Sequence, residues 1–341
     1  MQQLLEGEQY NYISMLKYNN STINDWNFND SNIKKVYYNN DVCYQKMTNE
    51  TPTPPTPIDY TKEYLTFIAQ TDNVTFSLYG GNSSNVFQYS LDNGSTWNNL
   101  QIGQTSPSIN NGDKILWKAS GLTINSESGI GTIRPSASAT VEGNIMSVIY
   151  SDNFSGQTEI PSNFQLRKLF SGATNITSAE NLVLPATTVK KQCYSQMFQG
   201  CNKLVKAPKT IGSTAMTWSG DYIMSDMFHG CTELTTAPEL LSLNLGTQCY
   251  WSMFEGCTSL TTSPILSAST LVSQCYQGMF SGCTSLNTIT CLATNPSNNF
   301  TSKWASNVSS SGTFYKNPST SSWPSGESGI PNGWTVQDYT S

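Results

Sequence analysis

Between residues 194 and 286 the apolar positions follow neither a helical nor a strand period. They return as a phrase of Met-Phe-x-Gly-Cys followed three residues later by Leu. Met197-Phe198 leads to Cys201 and Leu204, Met227-Phe228 to Cys231 and Leu234, Met253-Phe254 to Cys257 and Leu260, and Met279-Phe280 to Cys283 and Leu286. A degenerate copy, Leu169-Phe170 to Ala173 and Ile176, precedes them. From Phe170 the phenylalanines at 198, 228, 254 and 280 step by 28, 30, 26 and 26 residues, a solenoid period. No unit of that size buries its own apolar edge, so Phe, Cys and Leu are expected to stack copy upon copy in one continuous core.

Upstream the period changes to two. Val74, Phe76 and Leu78 alternate with Thr75, Ser77 and Tyr79, and Phe87, Tyr89 and Leu91 alternate with Gln88 and Ser90. Asp92-Asn93-Gly94 is a turn signal, and further strands are predicted at 114–119 and 144–150. Several short strands divided by turns predict a β-sandwich over 58–154, with Trp97 and Trp117 read as core rather than sugar platforms. Near the amino terminus, Val36-Tyr37-Tyr38, the turn Asn39-Asn40-Asp41 and the run 42–45 predict a β-hairpin. Thr51 to Pro57 carries four prolines, which favour a semi-rigid polyproline II spacer.

The expected organisation is mostly β with short helical turns. A small hairpin segment (1–50) is followed by the linker (51–57), the sandwich (58–154), a leucine-rich-repeat type solenoid (155–292) and a capping tail (293–341). Short extended pieces after each Cys-x-x-Leu, such as Ala207-Pro208 and Ala237-Pro238, are predicted to form a one-strand-per-repeat ladder opposite the Tyr-x-x-Met-Phe turns. Proline removes a donor from each rung, so that ladder should be weak. Trp323 and Trp334 are expected to close the core at its end.

Composition narrows the function. Charged residues make up 12% of the chain, so Ser, Thr, Asn and Gly must carry the solubility, as in many extracellular and virion β-rich proteins. The net charge of −6 and the lack of any Lys/Arg cluster exclude nucleic acid as the expected partner. Met1–Asn20 has no basic and apolar signal pattern, and no apolar run is long enough to span a bilayer, so neither secretory export nor membrane insertion is expected. The nine cysteines suggest a disulfide framework, since Cys193/Cys201, Cys249/Cys257 and Cys275/Cys283 share a spacing. Yet Ile223 stands eight before Cys231, where the other repeats have Cys, which marks a small buried apolar position. Reduced, buried ladder cysteines are therefore expected, and no C-x-x-C zinc pattern occurs.

Candidate chemistry is sparse. The single histidine, His229, falls at a slot otherwise filled by Gln199, Glu255 and Ser281, so it reads as a solvated surface residue. No nucleophile elbow, phosphate loop or metal-binding signature is present, so no catalytic residue, metal or cofactor is assigned.

The phrase Met-Phe-x-Gly-Cys-Thr-Ser-Leu, with its intervening Cys-Tyr and Ala-Pro, resembles the BspA-like, Treponema-type leucine-rich repeats. These occur in surface proteins of gut and oral Bacteroidetes and in their crAss-like phages. The resemblance covers roughly residues 160–292, and 143–154 and the closing Gly-Ile-Pro-Asn-Gly-Trp-Thr-Val are similar too. Trp26-Asn27-Phe28 with Val36-Tyr37-Tyr38 is similar to the base of virion appendages in such phages.

The resemblance implies a virion fibre or decoration protein, homo-oligomeric, presenting an adhesin-type repeat to host-surface or mucus glycans or proteins. A secreted bacterial adhesin is the alternative, and a carbohydrate-active enzyme ranks below both. Residues 1–50 would dock on other virion proteins through Trp26, Phe28, Val36, Tyr37 and Tyr38. Solenoids usually bind along the strand ladder, which here means Lys206, Thr236, Thr262 and Thr288 with Pro208, Pro238 and Pro264 beside them.

Overall fold

The structure is a computed structural model that describes residues 58–340 and, as backbone, Lys35–Tyr38 and Asp41–Gln45. The chain divides into two compact units, Met1–Ile58 and Asp59–Ser341. In the first, β1 (Lys35–Tyr38) and β2 (Asp41–Gln45) pair antiparallel with an irregularity between Val36 and Tyr37, so the expected hairpin is present. The linker expected at 51–57 lies outside the described residues.

The second unit is mostly β: a sheet at its start and a β-solenoid of about six turns after it. The strands are β3 (Leu65–Ala69), β4 (Phe76–Tyr79), β5 (Val86–Ser90), β6 (Asn98–Gln101), β7 (Lys114–Lys118), β8 (Thr132–Pro135), β9 (Ala139–Asn144) and β10 (Ile176–Val183). Six of them form one sheet in the order β10-β9-β3-β7-β5-β6, and β4 and β8 make a separate antiparallel ribbon. Alternation decides which side chains point inward. Phe76 and Leu78 of β4 are buried while Ser77 and Tyr79 are not, and Phe87 and Tyr89 of β5 flank a half-buried Gln88. Trp117 is fully buried, with its ring 6.3 Å from Phe76, 6.5 Å from Phe87 and 6.0 Å from Tyr89.

The strand expected at 144–150 is corrected. β9 ends at Asn144, whose Oδ1 accepts the Met146 N–H at 3.0 Å and turns the chain into a four-residue helix, α1 (Ser147–Tyr150). The Ser147 hydroxyl then donates to the Trp117 carbonyl (2.8 Å) and accepts the Leu65 N–H (3.0 Å), tying that turn to β7 and the start of β3. Local side-chain bonds of this kind compete with a ladder and here they win.

The solenoid joins the sheet through β10. On one side β10 pairs in parallel with β9; on the other, Ser178 bridges Lys206 of the next rung. Later ladder strands are β11 (Thr188–Lys190), β12 (Thr210–Ile211), β13 (Thr217–Ser219), β14 (Glu239–Leu240), β15 (Thr262–Leu266), β16 (Thr288–Cys291), β17 (Thr313–Lys316) and β18 (Thr335–Asp338). All their pairings are parallel, as stacked rungs require. The early ones are two or three residues long, in keeping with the prolines beside them.

Opposite the ladder the Tyr-x-x-Met-Phe segments are not helical. They are successive turns in which alternate N–H groups go to different places. Met197 and Gln199 donate back to Tyr194 and Gln196 (3.2 Å each), whereas Phe198 donates forward to the Met227 carbonyl of the next rung (2.8 Å). Phe228 repeats this to Met253 (2.8 Å), Phe254 to Met279 (2.9 Å) and Phe280 to Trp304 (2.8 Å). Every fourth residue turns left-handed to allow it: Gln192 (φ 52°), Gln196 (φ 59°) and Gly200 (φ 73°) in one rung, Tyr222, Asp226 and Gly230 in the next. A left-handed non-glycine residue costs about 1–2 kcal/mol, and the ladder that holds both backbone directions offsets it.

The core is one stack. Phe198, Phe228, Phe254 and Phe280 lie nearly parallel, 5.4, 5.5 and 5.8 Å apart. Phe170 leads into them, and Phe67 of β3 meets Phe170 edge-on at 5.7 Å, so the sheet closes the first end of the stack. Each thiol of the repeated phrase donates to a carbonyl one rung back: Cys201 to Phe170, Cys231 to Phe198 and Cys257 to Phe228 at 3.1 Å, Cys283 to Phe254 at 2.9 Å. Eight cysteines are free and buried, as expected for ladder positions; Cys43 lies outside the residues whose side chains are described.

At the far end the phrase breaks but the ladder does not, because β17 and β18 extend the parallel sheet into the tail. Trp304, which the repeat pattern did not single out, is the main closing residue. It is fully buried and donates its Nε1–H to the Gly329 carbonyl (2.7 Å). It also stacks on Tyr276 at 6.3 Å and on Trp323 at 5.7 Å. Trp334 is buried one layer further on and donates to the Ser309 carbonyl at 2.8 Å.

Candidate functional site

The parallel pairing sets the expected ladder residues in two runs. Ser178 bridges Lys206 and Lys206 bridges Thr236; Thr262 pairs with Thr288, Thr288 with Thr313 and Thr313 with Thr335. Lys206, Thr236 and Thr262 are exposed and Thr288 is half-buried. Pro208, Pro238 and Pro264 are buried, so these rings are turned away from any ligand lying on the ladder. They shape the rungs rather than present themselves.

Charge on this face is confined to its ends. At the first rungs a shallow hollow of about 360 Å³ is lined by Glu180, Lys206, Lys209, Thr210, Thr236 and Glu239 among others. Lys206 Nζ donates to Glu180 at 2.8 Å, which holds the Glu180 carboxyl below its ordinary value, and Lys209 reaches Asn181 at 3.4 Å. At the last rungs Lys316 is paired with Asp338. Between them the runs carry short hydroxyl side chains, and Lys206 and Lys316 each spend their charge on a neighbouring carboxylate.

The opposite, turn-bearing face carries the variable slots of the repeat. His229 is partly exposed there, with Nδ1 3.4 Å from Asp226 Oδ1. That hydrogen bond and the nearby Glu255 charge raise its pKa above the ordinary value, against an opposing effect of burial. On the same face Tyr222 and Trp251 stand 5.4 Å apart at 45°, both half-buried. The sequence reading passed over this pair. Its signal was available: Tyr222 falls where neighbouring rungs have Gln192, Gln248 and Gln274, and Trp251 where they have Ser195, Ser225 and Gln277.

Two other aromatic positions separate cleanly. Trp117 is core. Trp97 is half-buried, with Lys118 Nζ 4.2 Å from its ring centre and Tyr64 at 5.0 Å. Lys118 donates to both Asp152 oxygens (2.7 and 2.9 Å) and the Tyr64 hydroxyl donates to Asp152 at 2.7 Å, so this cluster is satisfied within itself. Burial and that carboxylate push the Tyr64 hydroxyl up to about 12.

Of the expected anchoring residues, Val36, Tyr37 and Tyr38 lie on β1, while Trp26 and Phe28 lie outside the described residues. Burial pushes the thiols of Cys193, Cys201, Cys275, Cys283 and Cys291 up to about 12, which keeps them protonated and unreactive. Among the described residues no three His, Cys, Asp or Glu side chains gather as metal ligands, and no helix is long and apolar enough to cross a membrane. No family model, curated protein or solved structure matches this chain.

Proposed function

We propose that this protein is a non-catalytic attachment protein of a virion, a fibre or decoration component that presents its solenoid to host-surface or mucus glycans. The kinship we propose is with BspA-like leucine-rich repeats for the solenoid and with β-sandwich modules for 58–154. The observation that carries the reading is the two in-register runs, Lys206–Thr236 and Thr262–Thr288–Thr313–Thr335, over a chemically inert aromatic core. Such runs offer many equal, weak contacts, and several copies held together would gain strength by avidity rather than from one deep pocket. Residues 1–50 serve in this reading as the docking segment.

Mass spectrometry of purified virions beside outer-membrane fractions of the host tests it. Stoichiometric peptides in virions are expected, and they should disappear from particles when residues 1–50 are deleted. Peptides confined to the membrane fraction would transfer the protein to the bacterial surface and overturn the virion assignment.

A further inference from the structure

Repeat proteins advertise function where one rung departs from its neighbours at an exposed position, because the fold itself does not ask for the departure. Tyr222 and Trp251 are such departures on consecutive rungs. In the other rungs that carry the full phrase these columns hold Gln or Ser, with the same backbone pairing, while the degenerate first rung has Phe164 and Arg167 there. Large aromatic rings at the surface cost solubility and find no core to fill there. Among the described residues, neither the Tyr222 hydroxyl nor the Trp251 Nε1–H has a protein partner, and neither is counted with the buried unsatisfied groups, so both open to solvent.

Polar groups with unspent capacity surround the pair. Asp226 follows Tyr222 on its own rung and donates its N–H to the Trp251 carbonyl (2.8 Å). Its carboxylate has only the long 3.4 Å contact to His229. Glu255 stands four residues after Trp251, with Oε2 3.9 Å from where a Cβ on Gly278 would sit and its charge felt at His229. Asp221 is exposed next to Tyr222. By contrast, the aromatic cluster at Trp97 has its lysine, carboxylate and phenol bonded to one another, and in the hollow at Lys206 the Lys206 ammonium is spent on Glu180.

We infer that the Tyr222–Trp251 pair, with Asp226 and Glu255 beside it, is a binding subsite for a neutral hexose-based glycan on the turn face of the solenoid. The C–H faces of a pyranose are apolar and lie on aromatic rings, while its hydroxyls donate to carboxylates. Three carboxylates at the site disfavour sialylated or sulfated glycans by like-charge repulsion. The inference rests on the attachment reading and moves its main contact from the strand ladder to the opposite face.

The full chain is tested on immobilised neutral hexose glycans and on sialylated counterparts. The variants are Trp251→Ser and Tyr222→Gln, each of which installs a residue that neighbouring rungs already carry. Both are therefore expected to keep the wild-type melting temperature. Thr236→Glu with Thr262→Glu provides a ladder control. Wild type is expected to bind neutral glycans, with each aromatic variant weakened about tenfold, as for an exposed aromatic anchor, and the ladder variant, which touches only the weak secondary contacts, weakened less than either. Loss in the ladder control with binding intact in the aromatic variants overturns the subsite and leaves the attachment reading standing. Preference for sialylated glycans overturns the ligand class. No glycan binding by the wild type, with the protein present in virions, overturns the inference while leaving the virion assignment standing.

Discussion

The sheet and the solenoid bury their cores by opposite strategies. In the sheet region, one side chain serves many: Trp117 of β7 packs against Phe76 of β4 and against Phe87 and Tyr89 of β5. In the solenoid each Phe meets mainly the Phe before and the Phe after it, 26 to 30 residues away. The first arrangement is concentrated and the second is distributed. The difference teaches that the sheet is more than a neighbour of the repeats. Through β10 and the Phe67–Phe170 contact it covers the end of the stack that would otherwise be exposed.

The largest effect should follow from breaking that cover. Trp117→Ala is expected to cost about 3–5 kcal/mol, as for other large aromatic truncations in cores. Because the sheet closes the stack, urea denaturation followed by tyrosine fluorescence and far-ultraviolet circular dichroism should show the solenoid losing stability with the sheet. A solenoid transition unchanged by Trp117→Ala would mean that the two regions are independent and that the covering role is wrong.

A smaller effect compares backbone strain in the two regions. Gly230 has φ +73° and an added Cβ would sit 3.9 Å from Gly200, an ordinary contact; Gly112, in the sheet region, has φ +86° and open space around it. Alanine at either position is therefore limited to the left-handed penalty, about 1–2 kcal/mol. Equal losses in denaturant midpoint would show that the glycine column of the solenoid answers to local backbone conformation alone. A much larger loss at Gly230 would show that the rungs are more tightly coupled than their spacing implies.

Much of this was legible in sequence. The recurring phrase announced the stack, and Ile223 in a cysteine column announced reduced thiols, because both follow from which side chains a buried slot accepts. The alternation around Phe76 and Phe87 likewise marked inward positions. A fixed period places Lys206 beside Thr236 and Thr262 beside Thr288, and the parallel pairing has the same register. Orientation within a rung was not legible: Pro208, Pro238 and Pro264 were read as facing a ligand and are buried. Asn144 ended a strand through its own side chain, which periodicity does not register. Trp304 escaped notice because it closes the stack from a rung without the phrase. Tyr222 and Trp251 stand where the repeats differ rather than where they agree, and periodicity marks only what the repeats share.

Cys257→Ala should come next in size. It removes a sulfur from the stack and the thiol bond to the Phe228 carbonyl (3.1 Å), about 1 kcal/mol in all. That carbonyl keeps the N–H of residue 231 (3.0 Å), so it is not orphaned. The comparison is sharpened by thiol alkylation of the folded wild type, where the eight buried cysteines should stay unlabelled until denaturant is added. Labelling of any of the eight in the native protein would show that rungs open one at a time.

The smallest effects are electrostatic, and they run in opposite directions in the two regions. In the sheet region, hydrogen bonds from Thr96 and Ser90 hold the exposed Asp92 carboxyl at about 2, below its ordinary 3.8. Its contribution is present above pH 3.8 and fades as pH falls towards 2. In the solenoid, the Asp226 hydrogen bond raises His229 above its ordinary 6.5. That contribution is full below pH 6.5 and is lost as pH rises through the raised value. His229→Gln places the residue of the equivalent slot, Gln199, without a titrating group. The melting-temperature gap between wild type and this variant should therefore narrow between pH 5.5 and pH 8.5, whereas the gap for Asp92→Asn should stay constant across that range and close only in acid, as pH falls from 3.8 towards 2. A gap for His229→Gln that is constant with pH would show that Asp226 and Glu255 do not hold the imidazolium, and that both carboxylates on the turn face are free to meet a ligand at any pH.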